Sequence, residues 1–402
     1  MKMAKQRKWL LKTYAAAAAL CAASAANADG SVTLYGIADV GVMYLSHSTP
    51  EFNGSSTGTG HVFQLTNAGY SPSLFGLSGK EDLGGGLKAE FKLESGINLA
   101  NGGFDNPGGN NGLFNRIAEV GLSGGFGTVK AGLQISPFFN IIYALDPRGA
   151  GEFGSILTPV SDNSLIAAVF MPNAVSYTSP DIGGFQAAGL YALGGVAGSF
   201  QTGRAWSVSA RYTNGTFLAA AAYISTNNAA DSALASVGEL YPINVRAYTA
   251  GMSYKFGGLI AKAAFANFKA NNVPVSVNPS LMYSTNTSVN IYSGGFDYFP
   301  LPYLDLNAGV YYQQDRANSG GHSVMGAIGS QFFLSKRTSL YAQVGLVNNT
   351  CAHNGVCLGS GLTVESGGSG VGGLQGLGLA AEGLGLPPGT TVGANVGIRT
   401  TF

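Results

Sequence analysis

Charge, cysteine and long apolar runs are all scarce in this sequence. Charged residues make up 10% of its 402 residues, well below the roughly 25% of ordinary soluble domains. No stretch, however, reaches the ~18 consecutive apolar residues that a membrane-spanning helix needs. The hydrophobic residues, 46% of the chain, must therefore be dispersed among polar ones, as alternation along β-strands would disperse them.

The first 28 residues have the pattern of a secretory signal peptide. An apolar run of thirteen residues, 14–26, follows five basic residues and ends at the small-residue site Ala26-Asn27-Ala28. We expect residues 1–28 to be removed and residues 29–402 to form one folded domain. The alternative, an anchoring helix, is disfavoured because the run is too short to span a bilayer.

Loss of the signal changes the charge balance of the chain. Five of the 21 basic residues leave with it, so sixteen remain against twenty acidic residues and the net charge becomes about −4. A nucleic-acid partner is therefore disfavoured, since it would require a basic face.

Cysteine is limited to three residues, and Cys21 leaves with the signal. An exported chain reaches an oxidising compartment, so we predict a local disulfide between Cys351 and Cys357. A metal site is the alternative because His353 lies between the two cysteines, but three ligands fall short of a structural zinc site. We therefore expect no metal ion and no cofactor.

The body of the chain is built of short segments in which apolar and polar residues alternate. In residues 304–313 every second residue is apolar, from Leu304 to Tyr312, and the residues between them are mostly polar. Residues 206–213 and 340–346 repeat the pattern. A period of two places each set on one face of a β-strand.

One segment, residues 87–94, indicates what the polar faces contact. One of its faces is apolar and the other is charged: Ala89, Phe91 and Leu93 against Lys88, Glu90, Lys92 and Glu94. Four charges on one face require water, which a soluble sandwich would provide outside and a wide barrel inside. We interpret the four charged residues, with Lys130 on a later strand, as the wall of a water-filled pore with polar inward rows.

Tight turns alternate with long connections rich in Gly, Asn, Ser and Pro. The tight turns are predicted at residues 82–86, 124–127, 181–184, 214–215, 256–258, 299–302 and 335–338, and the long connections centre on residues 46–60, 100–113, 137–172, 194–204, 226–243, 270–287, 315–321 and 348–389. Seven hairpins plus a first and a last strand give sixteen strands, and the sheet must close because hydrocarbon offers its edges no hydrogen-bond partner. The predicted fold is all-β, a sixteen-stranded antiparallel transmembrane β-barrel.

Four blocks carry a resemblance to a known family. They are Ser31-Val-Thr-Leu-Tyr-Gly-Ile-Ala-Asp-Val-Gly41, Lys80-Glu-Asp-Leu-Gly-Gly-Gly-Leu-Lys88, Gly121-Leu-Ser-Gly-Gly-Phe-Gly127 and the closing Gly397-Ile-Arg-Thr-Thr-Phe402. Together they resemble the trimeric general porins of Gram-negative bacteria, in their β-proteobacterial and neisserial form, over about residues 31–402. The resemblance implies an outer-membrane homotrimer through which ions and small hydrophilic solutes diffuse passively. It also implies contact with outer-membrane lipid and lipopolysaccharide, and a barrel-assembly machinery that reads the terminal Phe402.

The resemblance further implies that the third long connection, residues 137–172 and termed loop 3, folds back into the pore. The predicted constriction consists of charged residues of this loop and one arginine of the wall: Asp146, Arg148, Glu152 and Asp162, with Arg116 opposite. Acids facing bases across a narrow pore would create a transverse field that orients ions. The alternative is a solvated outer loop whose charges serve solubility.

Ion selectivity depends on the fixed charges that line the pore. Two positions where relatives often carry arginine are Leu74 and Leu133 in this chain. With fewer fixed cations and a slightly acidic processed chain, we expect weak cation preference or little selectivity, which the lysines of the wall would partly offset.

Enzymatic motifs are weak. Residues 121–125 fit the nucleophile-elbow spelling, but they end a predicted strand at a glycine hairpin instead of opening a helix. The four histidines fall in or near loops or at a strand start, which disfavours a catalytic triad. We therefore expect a channel and no enzyme. A substrate-specific channel is the alternative within transport, and a barrel enzyme or a surface adhesin are the alternatives outside it.

Overall fold

The structure is a computed structural model that describes residues 31–48, 60–105, 112–162, 169–227, 244–271, 286–353 and 389–402. The predicted signal peptide, residues 1–28, lies outside these ranges. No helix within them is long and apolar enough to cross a membrane.

The described chain is dominated by strands, which all belong to one antiparallel sheet. The strands are β1 (Ser31–Ser48), β2 (Gly60–Asn67), β3 (Leu74–Gly84), β4 (Leu87–Gly96), β5 (Ile117–Gly124), β6 (Gly127–Ile135), β7 (Phe170–Thr178), β8 (Phe185–Ala192), β9 (Ala205–Thr213), β10 (Phe217–Thr226), β11 (Asn244–Phe256), β12 (Leu259–Asn271), β13 (Asn286–Leu301), β14 (Leu304–Asp315), β15 (His322–Phe333), β16 (Thr338–Thr350) and β17 (Gly389–Thr401). Two helices lie between β6 and β7, namely α1 (Pro137–Leu145) and α2 (Leu157–Asp162).

The sheet closes into a barrel with sixteen strand positions. β1 pairs with β17 from Ile37↔Thr401 to Leu45↔Gly393, which joins the two ends of the sheet. On its other edge, β1 pairs with β2 through its second half and with β3 through its first half. Because β2 and β3 share one position, the predicted sixteen-stranded antiparallel barrel is confirmed.

The interruption between β2 and β3 spans residues 68–73, which we term the inward bulge. The prediction ran a single strand through this segment, although Gly69 and Pro72 do not suit a strand interior. Ala68 adopts a φ of 59°, a left-handed conformation that costs a non-glycine residue roughly 1–2 kcal/mol. Contacts with other parts of the barrel must therefore stabilise the backbone of the inward bulge.

All seven predicted tight turns join consecutive strands, from β3–β4 to β15–β16. The turn between β9 and β10 illustrates the local chemistry. Gly215 has a φ of +86°, and the Asn214 side chain accepts from the N–H groups of Thr216 and Phe217 at 3.1 and 2.8 Å. The Asn-Gly pair thus provides both the positive φ and the side-chain hydrogen bonds that a short hairpin needs.

The outward face of the barrel is apolar, as the alternation predicts. Ile328 of β15 and Val344 of β16 are paired neighbours and are 62% and 50% exposed. Aromatic rings lie among these residues, for example Trp206 and Tyr223 with ring centroids 5.0 Å apart. An apolar surface of this extent is stable only against lipid or another protein.

Candidate functional site in the barrel lumen

The inward face of β14 has the predicted polar row. Asp305, Asn307 and Gln313 point inward and are buried, whereas Val310 of the same strand points outward and is 58% exposed. The alternation of polar inward and apolar outward residues therefore holds for this strand.

The part of the inner wall on β8 and β10–β13 that α1 covers is apolar, which corrects the expectation of polar inward rows all around the barrel. Its inward residues belong to one buried apolar cluster, which includes Leu190, Ala220, Ala222, Ile224, Ala247, Ala266, Phe268 and Ile291. Helix α1 of loop 3 packs over β8–β12. These side chains contact protein instead of water, and burial of apolar surface favours that contact.

Local sequence explains why α1 forms on this wall. The Ser136 side chain caps the helix by accepting from the Phe139 N–H at 3.1 Å. Phe138 is 1% exposed and packs edge-on against Phe268, with ring centroids 6.1 Å apart. Its N–H donates to the Ser207 hydroxyl of β9 at 3.0 Å. The first turn of α1 is therefore fixed to the barrel by both apolar and polar contacts.

Asp146, which follows α1, is buried against the wall. Its carboxylate accepts from the Tyr311 hydroxyl of β14 at 2.7 Å and from the backbone N–H groups of Arg148 and Ala150 at 3.0 and 2.6 Å. Burial raises the pKa of Asp146, and the hydrogen bonds from Tyr311 and the backbone oppose that rise. The Lys262 ammonium of β12 donates to the Asp146 carbonyl oxygen at 2.8 Å. This predicted constriction acid thus fastens loop 3 to the barrel.

Arg148 connects loop 3 to two further strands. Its Nη1 donates to Asn307 Oδ1 of β14 at 2.7 Å, and its Nη2 donates to Gln343 Oε1 of β16 at 2.5 Å and to the Phe153 carbonyl oxygen at 3.3 Å. The residue is 4% exposed. Arg148 therefore contacts the wall and does not project into open lumen.

The remaining predicted constriction residues have different surroundings. Glu152 is half-buried, and its N–H donates to the Tyr70 carbonyl oxygen of the inward bulge at 3.4 Å. Asp162 ends α2, and its side chain lies outside the described residues. Arg116 precedes β5, and its Nε donates to Glu94 Oε1 of β4 at 2.9 Å. The described partner of Arg116 is thus an acid of the wall itself, and a constriction role for these residues stays a prediction.

Strands β3–β6 carry a ladder of alternating charges on their inward face. Register places the five predicted wall residues on that face, together with Lys80 and Glu119. The ion pairs are Lys80–Glu90 at 3.6 Å, Lys92–Glu94 at 3.1 Å, Lys130–Glu90 at 3.5 Å and Lys130–Glu119 at 2.7 Å. The side chains of Lys80, Lys92 and Lys130 are 55, 37 and 32% exposed, against 22, 5 and 11% for Glu90, Glu94 and Glu119. The lysine side chains of these pairs are therefore more exposed than the acidic side chains that they contact.

Asp39 and the inward bulge are lumen features that the alternation does not predict. Asp39 lies on the inward face of β1 and is fully buried. Its carboxylate accepts from the N–H groups of Tyr70 and Ser71 at 3.2 and 2.8 Å. In the sequence, these two features are indicated by the single acid Asp39 at an inward strand position and by Gly69 and Pro72, which do not suit a strand interior.

Three other predictions concern the long loops and the chain end. Cys351 is disulfide-bonded, but Cys357 lies outside the described residues, so their pairing stays a prediction. The backbone of Phe402 pairs with that of Gly36 through two hydrogen bonds of 3.1 Å, and its role in assembly also stays a prediction. Among the residues described, no group of three or more His, Cys, Asp or Glu side chains is arranged to hold a metal ion.

A closed barrel with an apolar outer face and a charged inner wall defines a membrane channel. The chain belongs to the Gram-negative porin family, which it matches over residues 15–352. It is similar to outer membrane porin protein 32 of Delftia acidovorans, at 30% identity over 97% of this chain and 99% of that protein. It is also similar to an outer membrane porin protein of Bordetella pertussis, at 32% identity over 84% of this chain and 94% of that protein.

Solved structures agree with this assignment. The barrel superimposes on an anion-selective porin from Comamonas acidovorans with a TM-score of 0.72 and 25% identity, over 93% of this chain and 100% of that chain. The predictions of a porin fold, an outer-membrane location and a channel for passive diffusion are therefore confirmed.

Proposed function

We propose that the pore passes small hydrophilic solutes by diffusion and favours anions over cations. The observation that carries this proposal is the arrangement on β3–β6, where Lys80, Lys92 and Lys130 are more exposed than their carboxylate partners. A permeating ion meets the ammonium groups first, and a positive surface in a narrow channel concentrates anions.

Other inward charges support the same direction. Arg211 of β9 and Lys255 of β11 are exposed, whereas Asp39, Asp146 and Asp305 are buried. Asp82 of β3, an exposed inward acid beside a tight turn, opposes them in part. The expectation of weak cation preference rested on the leucines at positions 74 and 133 and on the net charge of the processed chain, and it did not consider which charges reach water. A similar solved structure is described as anion-selective, which supports the revised direction.

Reversal potentials in planar bilayers under a KCl gradient test the proposal. The refolded barrel should give a potential of the sign set by Cl⁻ permeation. Lys92→Gln combined with Lys130→Gln should shift the potential toward K⁺ permeation, because two exposed cations are lost. Lys269→Gln is the matched control, since Lys269 is exposed on the outward face of β12. A wild-type potential of the K⁺ sign, or an equal shift in the control, contradicts the proposal.

A substrate-specific channel is the alternative within transport. Liposome swelling with sugars and amino acids of graded size separates the two. A steady fall of the rate with solute size supports general diffusion, whereas one solute that outpaces smaller ones supports a specific channel. We further infer that the barrel is a channel and not an enzyme, which its membership of the porin family supports; hydrolysis of lipid or peptide by the purified protein would contradict this.

We also propose that three copies assemble in the outer membrane after removal of residues 1–28 and that Cys351 pairs with Cys357. The resemblance of the four sequence blocks to trimeric porins supports the trimer, and the disulfide-bonded state of Cys351 supports the pairing. Native mass spectrometry of the detergent-extracted protein measures the copy number and the processed mass. Peptide mapping without reduction identifies the disulfide partner.

A further inference from the structure

The inward bulge, residues 68–73, leaves the barrel wall at a level where loop 3 also contacts that wall. We propose that the inward bulge is a second constriction element, which Asp39 holds in the lumen and which fixes the middle of loop 3 around residues 148–152. In this arrangement the conductance of the pore depends on both segments together. Four sets of contacts carry the proposal.

The first set fastens the bulge to the wall. Asp39 Oδ2 accepts from the backbone N–H groups of Tyr70 and Ser71 at 3.2 and 2.8 Å. Asp39 Oδ1 accepts from the Tyr341 hydroxyl of β16 at 2.8 Å. The Ser71 hydroxyl also accepts from Arg399 Nε of β17 at 2.6 Å. One buried carboxylate thus orients two consecutive backbone amides of the bulge, and buried carboxylates are stable only with such partners.

The second set binds the bulge through the backbone of Gly69. Its carbonyl oxygen accepts from Gln343 Nε2 at 2.7 Å and from Asn395 Nδ2 at 3.0 Å. A Cβ atom at position 69 would overlap the Tyr341 hydroxyl. The close approach of the backbone to β16 and β17 therefore requires glycine at this position.

The third set connects the bulge to loop 3. The Glu152 N–H donates directly to the Tyr70 carbonyl oxygen at 3.4 Å. Gln343 donates to Gly69 and, through Oε1, accepts from Arg148 Nη2 at 2.5 Å. Gln343 therefore bridges the two segments, and its amide uses both its donor and its acceptor in doing so.

A further bridge runs through the Tyr70 side chain. Its hydroxyl donates to Asp305 Oδ2 at 3.2 Å and accepts from Asn307 Nδ2 at 3.4 Å. Asn307 Oδ1 in turn accepts from Arg148 Nη1 at 2.7 Å. The Tyr70 side chain is thus connected through Asn307 to Arg148 of loop 3.

The geometry of the bulge argues against a role in barrel stability alone. An uninterrupted strand from β2 to β3 would satisfy its backbone groups in the sheet and would need neither the buried Asp39 nor the left-handed Ala68. Strained backbone and a buried charge both cost free energy and persist where the surroundings hold them. Their contacts here end on loop 3, which links the interruption to the pore.

Single-channel recording of the refolded full barrel in about 1 M KCl tests the proposal, because salt at that concentration screens charges beyond ~3 Å and leaves geometry as the main determinant. Asp39→Asn should raise the conductance about 1.3-fold or more and add open-channel noise, since loop 3 loses one of the contacts that hold it. Asp82→Asn is the matched control. Asp82 is an exposed inward acid near a tight turn, so this change should leave conductance and noise at the wild-type values.

Tyr70→Phe keeps the Asp39 contacts and removes only the hydrogen bonds of the Tyr70 hydroxyl to Asp305 and Asn307. It therefore tests the proposal even if Asp39→Asn does not fold. We expect added noise in this variant and a circular dichroism melting curve close to that of the wild type. Folded Asp39→Asn or Tyr70→Phe channels with wild-type conductance and noise would overturn the proposal. A lower melting temperature alone, without a change in the current, would assign the bulge to barrel stability and likewise overturn it.

Discussion

Removal of one aromatic ring from α1 tests whether this helix keeps loop 3 against the inner wall. Phe138 is 1% exposed and packs on Phe268 with ring centroids 6.1 Å apart. Truncation of a buried Phe to Ala typically costs about 3–5 kcal/mol, to which an edge-on ring pair contributes about 0.5–1.5 kcal/mol. In Phe138→Ala this loss should destabilise the packing of loop 3 against the inner wall and leave the barrel itself intact, because the pairing between strands is unchanged.

Amide hydrogen exchange measures the loss, since exchange within α1 requires local opening of the helix. A change of about 3–5 kcal/mol corresponds to an increase of about a hundredfold to a few thousandfold in the open population. We therefore expect exchange in the peptides that cover α1 to be at least about a hundredfold faster in Phe138→Ala. Peptides from the strands far from the helix should exchange at the wild-type rate. Mass spectrometry of peptic fragments reports both.

Tyr143→Ala is the matched control, because Tyr143 lies in the same helix and is 57% exposed. Substitutions at such exposed positions usually change stability by no more than about 0.5 kcal/mol, so exchange in α1 should stay within about threefold of the wild type. If α1 exchanges at the wild-type rate in a folded Phe138→Ala barrel, the apolar wall is not what holds loop 3 and the reasoning fails.

Two further predictions use the same measurement. Ser136→Ala removes the cap of α1 at a typical cost of about 1 kcal/mol, so exchange of the first helical turn should rise about fivefold, and unchanged exchange would contradict the capping role. Gly154→Ala should loosen residues 153–160, because a Cβ at Gly154 overlaps the Cβ of Ala327 on β15. The matched control is Gly149→Ala, which has a similar positive φ and no atom within 4 Å of its added Cβ, so equal exchange in the two variants would exclude the clash as the cause.

The hairpins and the number of strands could be predicted because their signals are local. A pair such as Asn214-Gly215 contains within two residues the positive φ and the side-chain acceptor that a tight turn needs. A period of two likewise assigns each residue of a strand to one face, without knowledge of its neighbours. The interruption at residues 68–73 was missed because its stabilising partners, Asp39, Gln343 and Asn395, lie on other strands. The inward bulge is therefore a tertiary feature, and Gly69 and Pro72 alone only weaken a strand.

The apolar inner wall could not be predicted for the same reason. Residues 217–224 are apolar on both faces of β10. Such a strand could lie between lipid and a covering helix or inside the core of a soluble protein, and the sequence pattern does not distinguish these two environments. The covering helix begins at Pro137, about eighty residues earlier in the sequence. The strand register places the charges from Lys88 to Glu94 on the inward face, and their exposure depends on partners such as Lys130, which alternation does not specify.

The distribution of water in the lumen follows from where loop 3 packs. Apolar residues on the inward face of β10–β13 would disfavour water and solute if they were open, and α1 removes them from the path by covering them. The charged groups of Asp146 and Arg148 are buried in hydrogen bonds with side chains of β14 and β16, so they add little to the electric field along the pore. The charges of β3–β6 can still act on a permeating ion, because the lysine side chains there are more exposed than the acids that they contact, and Arg211 and Lys255 add to them from β9 and β11. Ion selectivity should therefore depend on which charged side chains of β3–β6 are exposed. A charge substitution on these strands should change the selectivity more than a substitution of the same charge elsewhere in the chain.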